Sequence, residues 1–197
     1  MLEHCLDDLE QRLDPAVEAA LWDEWRVFHE GRWRGDGLFR PRRPAPVPPG
    51  FDWPTVSVNE AFEDPEQMLL QQLRLVSGAL AAGGGQPLGV RCNYSTAILP
   101  SLFGTELFMM APEMNTLPTA IPLKGTPDSI RRLLDRDPPD LRTGLGARVF
   151  ETAERFQAAL RSRPTLDAWI RLYHPDLQGP MDVCELIWGS AIFYAAY

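Results

Sequence analysis

The stretch YHPDLQGPMDVCELIWGS, Tyr173 to Ser190, sets His174, Asp176 and Gln178 at alternate positions, just before a Gly-Pro step and an amphipathic run. Histidine can serve as acid, base or ligand near neutral pH. Gly179-Pro180 opens a helix whose first N–H groups could hold a carboxylate or phosphate, with Asp182 competing for them as an internal cap. Two readings stand. Either a strand delivers His174 and Asp176 as catalytic groups and Gln178 as a substrate contact, or Pro175 makes a turn whose amides Asp176 satisfies. A second constellation is PLGVRCNY, where Arg91 and Asn93 share one strand face and Tyr94 ends it. An inward arginine suits a small anionic substrate; the alternative is an ion pair with a carboxylate such as Asp176 or Glu60. Asn59 and Glu60, closing an earlier strand, are further candidates.

The elements that must position these residues alternate. Leu2, Leu6, Leu9, Leu13, Val17, Leu21 and Trp25 recur at helical spacing, broken at Pro15, where Asp14 caps a second helix. GRWRGDGLFRPRRPAPVPPGFDWP reads as an extended, polyproline-like connector with Arg40, Arg42 and Arg43 solvated. Strands are expected at Thr55–Asn59, Pro87–Tyr94 and Ala168–Tyr173. Asp64-Pro65-Glu66 starts a helix that stops at Gly83-Gly84-Gly85; a phosphate loop would require the opposite order, strand then helix. Thr126-Pro127-Asp128 starts another helix, a long one covers 146–161, and an apolar one runs from Met181 to Tyr197. Strands alternating with helices predict βαβ units on a parallel sheet. The apolar ending SAIFYAAY, with no glycine stop, basic last turn or polar tail, implies either a last helix buried to its end or, the favoured reading, a chain that stops before its fold is complete.

Composition narrows the function classes. Nineteen basic against 27 acidic residues give a net charge of −8, against a non-specific nucleic-acid binder, which needs a basic face. Cys5, Cys92 and Cys184 are scattered and odd in number, against a disulfide framework or a zinc knuckle. Cys92 and Cys184 read as small core residues, and Met109, Met110 and Met114 as apolar packing. His29 sits among Trp25, Phe28 and Trp33, as a packing or interface residue. The acidic helical start is no signal peptide, and no run is long enough to span a bilayer. A cytoplasmic protein is expected, with no membrane and no nucleic-acid partner.

Four stretches resemble the uroporphyrinogen decarboxylase superfamily, which includes porphyrinogen decarboxylases and zinc-dependent, corrinoid-linked methyltransferases. DPEQMLLQQLRL is similar to its early Asn/Asp-Pro-Glu helix. RCNYSTAILPSLFGTELFMM resembles its strand and Ile-Pro-x-x-Leu-Gly turn, LPTAIPL the apolar segment that follows, and LQGPMDVCELIWG its Gly-x-Pro strand-to-helix turn. The resemblance spans Asp64 to Gly189. It implies an α/β fold: the N-terminal half of a (β/α)8 TIM barrel over 51–197, behind an N-terminal helical extension and connector over 1–50, with the site at the strands' carboxyl ends. The N-terminal helices would cover the barrel bottom or pair with a second copy in a homodimer. The family's carboxylate-gripping Arg-Gln-Ala-Gly-Arg motif has no match, Ser95 stands where its catalytic aspartate falls, and its substrate tyrosine falls near Leu186. A seryl hydroxyl supplies no anion to stabilise a pyrrole cation. The resemblance therefore implies methyl transfer or unassigned chemistry on a small anionic or tetrapyrrole-linked substrate, with a corrinoid protein as partner, above porphyrinogen decarboxylation. It implies no cofactor or metal ligand in this chain; zinc would sit on residues of a longer protein. The alternative is a non-catalytic binding protein on the same scaffold.

Overall fold

The structure is a computed structural model that describes every residue except 125, 127–131, 134, 191, 196 and 197. Two compact units divide the chain. The first comprises Met1–Val56, Asp64–Arg91 and Arg155–Tyr173; the second comprises Ser57–Glu63, Cys92–Glu154 and His174–Tyr197.

The first unit begins with helices α1 (Leu2–Arg12) and α2 (Pro15–His29). Proline cannot donate its missing N–H, so it fits the first turn, and Asp14 accepts from Ala16 N–H at 2.8 Å. Helix α4 (Pro65–Ala81) starts the same way, with Asp64 accepting from Glu66 N–H at 2.8 Å. Its buried Leu69, Leu73, Val76 and Leu80 form one stripe, and α1 contributes buried Cys5, Leu6 and Leu9. Each such leucine stabilises the fold by about 1.5–3 kcal/mol through apolar burial. Arg12 ties α1 to α4 and the connector: it pairs with Asp8 at 2.7 Å, reaches Ser77 Oγ at 2.6 Å and donates to Val47 O at 3.1 Å.

The Pro/Arg-rich connector is anchored, and Arg43 corrects the expectation of solvated arginines. Its guanidinium grips the Glu18 carboxylate through two 2.7 Å hydrogen bonds, with both side chains only 2% exposed, and also donates to Gly84 O. The triglycine does stop α4: Gly83 takes φ +60, a conformation that costs glycine little. It is also the seat of the connector. A Cβ on Gly85 would lie 2.1 Å from Pro41 O, and Trp25 Nε1 donates to Gly85 O at 2.7 Å. Helix α7 (Pro164–Trp169) is capped by α1, as Glu10 accepts from Thr165 and Leu166 N–H, both at 3.0 Å. Strands β1 (Gly89–Val90) and β4 (Arg171–Leu172) pair in parallel, Gly89 opposite Arg171.

The second unit holds α3 (Val58–Glu63), α5 (Ile98–Leu102), β2 (Glu106–Phe108), β3 (Thr119–Ile121), α8 (Pro180–Trp188) and α9 (Ile192–Ala195). Strands β2 and β3 are antiparallel, with Leu107 opposite Ala120. Helix α8 packs on α5 and β3, and Leu123 N–H donates to Ile187 O at 2.7 Å. Helix α6 (Gly144–Arg161) begins in the second unit and ends in the first.

The expected partial barrel is not what forms. About 51% of the described residues are helical, and the four short strands among them make two small sheets rather than one parallel sheet. The alternating sequences are partly taken up by helices, and little of the rest finds a partner. Thr55–Asn59 turns helical at Val58, so Asn59 and Glu60 lie on α3. Of Ala168–Tyr173, α7 takes the start and only Arg171–Leu172 pair. Residues 109–118, carrying just one 3-10 turn, are too short for a parallel crossover, so β2 and β3 fold back on each other. The expected single helix from Met181 breaks at Gly189, φ +79. The helix expected after Thr126-Pro127-Asp128 lies largely outside the described residues. Among those described, no helix is long and apolar enough to cross a membrane.

Candidate functional site

Of the six residues singled out in the sequence, Arg91 belongs to the first unit and the other five to the second. Arg91 is half-buried, and its N–H donates to Gln72 Oε1 at 3.3 Å. Asn93 is half-buried beside fully buried Tyr94. The Tyr94 hydroxyl shares a 2.7 Å hydrogen bond with Thr152 Oγ1, its ring meets Phe62 edge-on at 5.5 Å, and the Arg148 guanidinium lies 4.7 Å above it. Tyr94 thus works in the core. His174 is exposed, with Nδ1 2.8 Å from Pro175 O, while Asp176 accepts from Gln178 Nε2 at 3.4 Å. The loop therefore holds Asp176 and Gln178 together.

Ser95 has a backbone job. It is buried in the left-handed region at φ 68, and its Oγ accepts from Ala97 N–H at 3.1 Å, fixing the entry to α5. Downstream, Ser101 Oγ donates to Ile98 O at 2.7 Å and accepts from Leu145 N–H at 2.9 Å, which pins α6 beside α5.

Between α5 and α8 the second unit encloses a pocket of about 560 Å³, within the range of roughly 300–1,000 Å³ usual for small-molecule sites. Leu99, Leu102 and Phe103 form one wall, Val183, Ile187 and Trp188 the other, and Pro138–Leu141 closes a side. The polar lining is Gln178, Cys184, Arg136 and Asp137. Gln178 alone of the six predicted residues reaches it. Cys184, expected in the core, is half-buried in this wall. The arginine and apolar walls were not singled out in sequence, although ILPSLF and RDPPDL carried a signal: apolar pairs held by prolines. Asp182 makes no hydrogen bond to the start of α8, and the N-cap Gly179 offers no side chain to it.

The buried thiols are held protonated. Burial pushes Cys92 up to about 12 and Cys5 up to about 11, the latter with the amino terminus opposing and Asp8 adding to the rise. Among the described residues no three His, Cys, Asp or Glu side chains come together as a metal-binding set. Comparison with protein-family models, with curated proteins and with solved structures finds no match to this chain.

Proposed function

We propose that the second unit binds an amphiphilic anion, its apolar body between α5 and α8 and its acid group at Arg136 and Gln178. The protein would then be a uroporphyrinogen decarboxylase-like binder of small acids. One observation carries the reading: stretches that resemble that family converge on a single cavity. ILPSLF supplies one wall and LQGPMDVCELIWG the other, with TAIPL packed behind as β3. Arg136 and Asp137 give the rim one charge of each sign, so the apolar body supplies most of the affinity and the rim fixes orientation.

Binding is favoured over acid–base chemistry because His174 and Asp176 do not line the cavity. Calorimetric titration of the protein with laurate, 2-naphthoate, a porphyrin carboxylate and a corrinoid tests the proposal. At least one carboxylate should bind with a 1:1 stoichiometry, and Leu102→Trp, which fills the cavity, should abolish that binding without lowering the unfolding midpoint. Unchanged binding to a folded Leu102→Trp protein, or no binding by any probe, would overturn it.

A further inference from the structure

The first unit carries its own cavity, of about 400 Å³, bounded by α2, α4, the approach to β1, and β4. No Asp or Glu lines it, whereas donors do. Gln72 is 4% exposed, and its Oε1 accepts from Arg91 N–H at 3.3 Å. Trp22 Nε1 is buried without a partner. Arg171, on β4, lies 6.0 Å over the Trp22 ring and forms no ion pair among the described residues. The remaining wall is apolar, chiefly Leu75, Val76, Ala79 and Leu88.

A buried donor without an acceptor is costly, so a cavity lined by one, with a guanidinium and no carboxylate, suits something that accepts. A guanidinium suits a carboxylate, whose oxygens take two of its donors in a plane. The indole and aliphatic wall suit a compact apolar body rather than a bare inorganic ion. We propose that this cavity is a binding site for a small monocarboxylate with an apolar body, gripped by Arg171 and the Trp22 indole N–H. It stands on residues of the first unit alone and does not depend on the reading of the second.

The test is titration of ¹⁵N-labelled protein with phenylacetate, following the Trp22 indole signal. A saturable shift is expected. It should be absent with 2-phenylethanol, which keeps the ring and loses the charge, and absent with inorganic phosphate, which keeps the charge and loses the ring. Arg171→Gln should weaken binding by at least about tenfold, and Arg171→Lys by less, since charge survives without the planar fork. Equal shifts from 2-phenylethanol, unchanged affinity in Arg171→Gln, or no saturation with phenylacetate would overturn the proposal. Titrating the Leu102→Trp protein, in which the other cavity is filled, keeps these outcomes separable from those of that cavity.

Discussion

Replacing Arg43 with methionine strips the Glu18 carboxylate of its only strong partner among the described residues, at a place where both side chains are 2% exposed. Two 2.7 Å hydrogen bonds to the carboxylate disappear, and Gly84 O and Gln86 O lose their guanidinium donor. Water cannot substitute there, so an uncompensated buried charge remains, and removing one member of such a pair costs about 3–5 kcal/mol. Domain stabilities are about 5–15 kcal/mol, so the change should be plain in urea unfolding followed by circular dichroism. Adding Glu18→Met removes the stranded charge and restores apolar packing. The double variant should recover at least about 2 kcal/mol relative to Arg43→Met, a positive coupling that only interacting residues show. A loss below about 1 kcal/mol in the single variant, or simple addition in the double, would refute the view that this pair holds the connector.

Two further expectations follow from the first unit and the thiols. Burial acts to raise the Asp8 carboxyl, but hydrogen bonds from Arg12, Gly50 N–H and Trp53 Nε1 outweigh it and hold the group below the usual carboxylate range. A depressed folded value contributes stability in full above the unfolded value of about 3.9, and loses it as pH falls through the folded one. Asp8→Asn should therefore cost about 1.5–3 kcal/mol at pH 7, with the gap to wild type closing below about pH 4; a constant gap down to pH 2 would contradict this. With Cys5 raised to about 11 and Cys92 to about 12, their thiolate fractions at pH 8 are on the order of a thousandth or less. A disulfide reagent should label one thiol quickly, and Cys184→Ser should remove that phase; fast labelling of a second thiol would argue against the buried placements.

Features written in neighbouring residues were legible. Asp14-Pro15 and Asp64-Pro65 cap their helices as their order implies, because capping is settled within three positions. The Gly83 stop was equally local. Features that require distant chain to meet were not. The Glu18–Arg43 pair joins residues 25 positions apart, and arginine among prolines looks the same whether solvated or buried. Alternation at Thr55–Asn59 and Ala168–Tyr173 predicted strands, but Val58–Asn59 and Ala168–Trp169 are helical and only Arg171–Leu172 pair, because a strand needs a neighbour and period-two sequence says nothing about whether one arrives. Tyr94 was picked out as a polar aromatic at a strand end; its partner Thr152 lies on another element. Gln178 was the one predicted site residue to reach the larger cavity, because the Gly-Pro step fixed where its helix begins.

The connector's fastenings have a practical consequence. Arg43 is buried on one side of the exposed run Pro44–Pro46, and Val47 accepts from Arg12 on the other. Backbone continuity across those three residues is thus redundant with contacts already made on each flank. A foreign peptide could be spliced in at that point, or the main chain opened there, and each flank would remain where it is.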